Sequence, residues 1–254
     1  MLLRSRSLLG RSARTLCAAA QRPPKDIGAL ITARSQAMSE AHKSSDPSIY
    51  QRLGSSQSPN YLWIGCSDSR VSGEAILGAK LGELFVHRNI ANQALSNDNS
   101  VMSVLQYSVD VLEVPHIIVC GHYDCGGVRA AMKNADHGAP LENWLRNIRD
   151  VYRLHRDELD AIADDEARHR RLVELNVVEQ CLNLFKTGTV QRRRRQTFAQ
   201  KDDYSYTQPR IHAVVYDPAN GALKHMPIDF RAILDDIRTI YELYDEEYDG
   251  TKSS

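Results

Sequence analysis

Short apolar runs alternate along this chain with longer stretches whose apolar positions recur at helical spacing. Tyr61-Leu-Trp-Ile-Gly65 is a continuous apolar run behind Pro59-Asn60, and it predicts a buried strand. Leu84-Phe-Val-His87 predicts a second, His116-Ile-Ile-Val-Cys120 a third and Arg210–Tyr216 a fourth. Asp217-Pro-Ala-Asn-Gly221 reads as a turn, after which Ala222–Met226 can return antiparallel. Val101, Leu105, Val109 and Leu112 place a helix over residues 98–113, with Asn97 or Asp98 as its cap. Residues 128–133, 141–155 and 170–187 predict further helices, and 229–244 a terminal one. Residues 26–56 are polar with scattered apolar positions and suit one or two surface helices.

Strands alternating with helices imply an α/β fold: a mostly parallel central sheet flanked by helices, with an N-terminal helical arm. No linker separates two cores, so residues 26–254 read as a single domain with 26–56 as its arm. In open sheets of this kind, sites form outside the carboxyl ends of strands. Two of the strands here run directly into the chain's most reactive residues.

Composition changes the picture in three places. The 254 residues are 42% apolar and 25% charged, which excludes wholesale disorder. No apolar run reaches the roughly 18 residues a membrane span needs. Lys and Arg (32) balance Asp and Glu (32), which removes a global electrostatic case for nucleic acid. The balance hides an asymmetry. Residues 1–25 hold six of the basic residues, no acid, and serines and leucines interleaved. That is the composition of an organellar transit peptide, and without a secretory apolar core it points to the mitochondrial matrix. The rest of the chain then carries a net charge of −6.

The five cysteines are Cys17, Cys66, Cys120, Cys125 and Cys181. An odd count without a secretory signal argues against a disulfide framework. The first strand runs into Cys66-Ser-Asp68-Ser-Arg70 and the third into Gly121-His122-Tyr-Asp-Cys125-Gly-Gly127. Two Cys and one His are a catalytic zinc set with water as fourth ligand, while buried structural thiols are the alternative. Cys120 and Cys181 sit in apolar runs and read as core. Neither a C-x-x-C pair nor the zinc-deaminase signature is present. Asp68 and Arg70 follow Cys66 at two-residue steps, so in an extended segment all three point the same way. Asp68 can accept a hydrogen bond from water on the metal or ligate the metal itself. Arg70 can pair with Asp68 and hold it away.

These residues resemble a family. CSDSR followed by GHYDCGG is similar to the β-class carbonic anhydrases, in the bicarbonate-regulated branch. Gln57, nine residues before Cys66, and Gly82–Asn92 extend the likeness. It is strong over 57–128 and followable through Leu175-Asn-Val177 and 210–221. The leader, 156–171 and 189–209 fall outside it, and 189–209 is expected to be a divergent loop whose run Arg192–Arg195 forms a solvated face.

The resemblance implies one zinc per chain on Cys66, His122 and Cys125, and hydration of carbon dioxide to bicarbonate and a proton by zinc-bound hydroxide. Two thiolates should make that water less acidic than a three-histidine site does, so activity should favour alkaline pH. Asp68 would orient the hydroxide, Arg70 would hold Asp68, and Gln57 would donate to a substrate oxygen. Phe85 and Tyr107 match positions lining the substrate pocket. Trp63, Arg88 and Tyr216 match a second, inhibitory bicarbonate site. The family forms homodimers or larger homo-oligomers through swapped N-terminal helices. Carbon disulfide or carbonyl sulfide is an alternative substrate on the same scaffold. A metal- or redox-sensing protein using Cys66, Cys120 and Cys125 is the rival outside the enzymes.

Overall fold

A computed structural model describes residues 26–200, 206–237, 239–241 and 243; the expected leader, 1–25, lies outside them. The described chain divides into two compact units, with the boundary at Ser56. The first contains α1 (Gly28–Ser45) and α2 (Ile49–Ser55), as the polar pattern predicted. The carboxylate of Asp46 caps the turn between them, accepting from the backbone and hydroxyl of Ser48 and from Arg52.

The second unit is built on five strands in the order β2-β1-β3-β4-β5. β1 (Tyr61–Cys66), β2 (Leu84–Asn89), β3 (His116–His122) and β4 (Arg210–Asp217) are parallel. β5 (Ala222–Met226) returns antiparallel against β4. Central strands of a parallel sheet are covered on both faces, which is why β1 and β3 read as unbroken apolar runs. Leu62, Ile64, Ile117 and Val119 are fully buried on one face. Trp63 and Cys120 are fully buried on the other, with Ile118 and Val214 beside them.

Helices α3 (Gly73–Leu77), α4 (Asn99–Gln106), α5 (Gly126–Ala131), α6 (Leu141–Leu154), α7 (Arg156–Asp160), α8 (Asp165–Phe185), α9 (Gly188–Ala199) and α10 (Phe230–Ile237) complete the unit. Asp98 caps α4 as the sequence allowed, accepting from Ser100 N–H. The helix then widens into a π-turn over Tyr107–Val111. α8 packs against β3 and β4. It comes so close to β3 at Gly121 that a Cβ there would lie 2.4 Å from Val177 Cγ2. No described helix is long and apolar enough to cross a membrane.

Two sequence expectations are corrected. Residues 188–199 form α9 rather than a loop. Thr187 caps this helix, accepting from Val190 N–H, and Arg, Gln and Ala are good helix formers with no breaker among them. Its arginines are not all solvated. Arg193 is buried and grips both oxygens of Glu113, and Arg194 donates to the Pro209 carbonyl. The terminal helix ends at Ile237 instead of running to residue 244, and the described residues 239–241 form a turn and a bend.

Candidate metal centre

Cys66 is the last residue of β1 and His122 the last of β3, and these strands are neighbours. Cys125 follows three residues later at the N-cap of α5. Sheet order alone therefore joins residues far apart in sequence. Their ligand atoms lie within 4.8 Å of one another, and all three side chains are buried. Among the described residues this is the one group of three such side chains close enough to share a metal ion.

The donor chemistry fits zinc. His122 Nδ1 is 3.0 Å from the Tyr123 carbonyl, which can only accept, so the proton sits on Nδ1 and Nε2 is left as a free lone pair. Nε2 is buried and has no hydrogen-bond partner. A bare imidazole nitrogen beside two thiols is costly unless a cation takes it. The Cys66 thiol is pulled far below its ordinary value, first by its hydrogen bond with Cys125, then by His122 and the N–H groups of Asp68 and Ala91. Cys125 is pushed up because it shares that proton and is buried. Such a pair surrenders its remaining proton when a metal binds. Three protein ligands leave a fourth position open, as catalytic zinc sites do. Among the described residues no fourth thiol closes it: Cys120 is fully buried, donates to the Gly121 carbonyl, and has its pKa pushed up to about 12 by burial.

Asp68 stands over this opening, with Oδ2 3.9 Å from His122 Nε2. Arg70 holds it by a two-pronged grip, Nε to Oδ1 at 3.0 Å and a terminal nitrogen to Oδ2 at 2.8 Å. That grip lowers the carboxyl pKa to about 2, against the opposing effect of burial.

Residues 61–223 match the carbonic anhydrase family. The carbonic anhydrase of Emericella nidulans is 52% identical over 204 residues, covering 79% of this chain and 84% of that protein. The chain belongs to the β-class carbonic anhydrases. A tetrameric β-carbonic anhydrase of Sordaria macrospora superposes with a TM-score of 0.70 at 34% identity, over 78% of this chain and 96% of that one. A β-carbonic anhydrase of Aspergillus fumigatus, CafA, gives 0.72 at 30% identity, over 85% and 99%. Zinc is the cofactor of this carbonic anhydrase, and the Cys66, His122 and Cys125 cluster suits it.

The other expected residues lie around the sheet. Phe85 and Tyr107 stack, with ring centroids 5.8 Å apart. Trp63, Arg88 and Tyr216 lie on one face of the sheet, because Gly65 pairs with Arg88 and with Cys120, and His122 with Tyr216. The Trp63 indole N–H is buried without a partner. Gly65 keeps space for it, since a Cβ there would lie 2.4 Å from the indole nitrogen. Arg88 donates to the carbonyls of Cys66 (2.9 Å) and Asp68 (2.6 Å). Gln57 is exposed ahead of β1.

Sequence reasoning missed the supports of this carbonic anhydrase's site. Ala91 and Asn92 adopt left-handed backbone right after β2, and Ala91 N–H points at Cys66 Sγ, 3.4 Å away. Buried amides hold that turn. Gln93 and Asn176 both donate to the Ala91 carbonyl, and Gln180 accepts from Ala94 N–H. Asn176 and Gln180 are one helical turn apart on α8 and are buried among Leu175, Val177 and Cys181, which was the available signal. α8 also braces the metal loop itself. Buried His169 donates to the Cys125 carbonyl, and Glu174 accepts from the Tyr123 hydroxyl at 2.7 Å. Lys224 and Arg171 complete the shell of Glu174.

Proposed function

We propose that this enzyme catalyses the reversible hydration of carbon dioxide to bicarbonate and a proton, with residues in the following roles. The observation that carries the reading is a buried Cys-His-Cys set with one open position facing an arginine-held carboxylate. Zinc, when bound, supplies the Lewis acidity that makes water a nucleophile near neutral pH. Asp68 accepts a hydrogen bond from the attacking water and aims its lone pair at the substrate carbon. Arg70 keeps Asp68 ionised and off the metal. The stacked Phe85 and Tyr107 give an apolar, uncharged molecule a wall to rest on. Gln57 donates to a substrate oxygen once it is brought to the site. The proton leaves to buffer. Buried Cys120, held protonated, speaks against a thiol-switch role.

Bicarbonate inhibition is a second element of the proposal, supported by the unpartnered Trp63 N–H on the same sheet face as Arg88 and Tyr216. An anion there would accept from the indole and compete for Arg88, whose hydrogen bonds reach the Asp68 backbone. The chain works in the mitochondrial matrix after loss of residues 1–25, and it assembles as a homodimer or larger homo-oligomer. Exposed Ile31 and Met38 on α1, and the tetrameric relative, support the assembly.

Stopped-flow hydration with residues 26–254 tests the reading. Carbon dioxide should be hydrated, and carbon disulfide hydrolysed far more slowly. The reverse preference, or no turnover of either with zinc bound, would sink it. Trp63→Phe should blunt inhibition by added bicarbonate; unchanged inhibition removes the second site.

A further inference from the structure

The grip of Arg70 on Asp68 has a second hand. The Arg70 nitrogen that does not touch Asp68 donates to Asp124 Oδ2 at 3.1 Å, and its neighbour reaches the Asp124 carbonyl at 3.3 Å. Asp124 lies in the metal loop between His122 and Cys125. It adopts left-handed backbone, φ +56°, a conformation that Asp and Asn tolerate better than other side chains. The other oxygen of Asp124 accepts from Arg129 at 3.2 Å. The same Arg129 nitrogen reaches Glu166 at 2.9 Å and His169 Nδ1 at 3.3 Å. Charges therefore alternate outward from the cluster: Asp68, Arg70, Asp124, Arg129, Glu166.

Stability does not explain this chain of ion pairs. The side chains of Asp124 and Glu166 are 60% and 53% exposed, and pairs so exposed contribute little to folding. Geometry does explain it. An arginine held only by the carboxylate it must orient can swing with that carboxylate. An arginine also anchored to the metal loop cannot.

We infer that Asp124 is a positioning residue for the reaction: it fixes Arg70 from the side away from Asp68, and Arg129 fixes Asp124. The inference rests on the hydration mechanism above, in which Asp68 orients the attacking water. Asp124 touches neither substrate nor metal, and it acts through Arg70.

The test is a double-mutant cycle on the zinc-loaded protein with Asp124→Asn, Arg129→Ala and both together. Asn keeps the shape and tolerates the backbone conformation while removing the charge. Asp124→Asn should lower kcat/KM for hydration about tenfold, with one zinc per chain and an unchanged Tm. Arg129→Ala should lower it about threefold. The double variant should be no slower than Asp124→Asn, because both act through one contact. As a readout independent of turnover, exchange of the Arg70 Nε–H with solvent, followed by NMR, should quicken in Asp124→Asn. Wild-type rate within about twofold, multiplying effects in the double variant, or loss of zinc from Asp124→Asn would each overturn the inference. A wild-type protein that holds zinc and hydrates nothing would defeat the hydration reading instead, while the exchange of Arg70 would still report on Asp124.

Discussion

Arg70 meets Asp68 side-on, with two of its nitrogens on the two carboxylate oxygens, and so holds Oδ2 3.9 Å from the bare nitrogen of His122. Only a planar fork makes that contact. Arg70→Lys should therefore behave as a loss rather than a conservative change. Hydration should fall about a hundredfold in Arg70→Lys and in Asp68→Asn, with zinc retained in both, as measured by stopped flow beside metal analysis. An Arg70→Lys enzyme with full activity would show that the fork is not needed.

Metal and fold should be linked. Chelation leaves His122 Nε2 buried without a partner and returns a shared proton to the two thiols. The metal-free protein should melt several degrees lower, and added zinc should restore the melting temperature. Differential scanning calorimetry with and without chelator checks this. Identical traces would mean that the cluster does not hold the ion.

Gly121 should be intolerant of a methyl group. Its Cβ would lie 2.4 Å from Val177, on the helix that braces the metal loop. Gly121→Ala should cost about 1–3 kcal/mol in urea unfolding, and Val177→Ala in the same chain should recover part of it. A neutral Gly121→Ala would show that α8 can move away from β3.

Glu174 gives a pH signature. Burial raises its pKa, but hydrogen bonds from Lys224, Tyr123 and Arg171 outweigh that and leave it below the usual value. A carboxyl lowered on folding stabilises the protein above its unfolded pKa. That contribution is lost as pH falls through the folded value. Glu174→Gln should therefore destabilise the protein by about 1–3 kcal/mol at neutral pH. The gap to wild type should close as the pH drops below roughly 4.5, the ordinary glutamate range. Urea midpoints across that range measure it; a constant gap would remove the charge from the explanation.

Strands and ligands were legible because each carries its own local signal. β1 and β3 are apolar runs, and each runs into a residue with metal chemistry. The supports were not legible, because they act across the sheet. Asn176 and Gln180 lie more than eighty residues from the turn they hold, and nothing local to Ala91 announces two left-handed residues. Residues 189–199 were misread for a related reason. Four consecutive arginines looked like solvent-facing charge, but the partner of Arg193 is Glu113, a residue that only the fold brings near.

The central claim is that activity depends on one zinc held by Cys66, His122 and Cys125. The most direct measurement adds zinc stepwise to metal-free protein and follows carbon dioxide hydration at each step, between roughly pH 6.5 and 9, beside Cys66→Ser. The rate should rise linearly to one equivalent, stop there, increase with pH, and remain at background in the variant. A rate independent of zinc, or a Cys66→Ser chain as active as the wild type, would contradict the account.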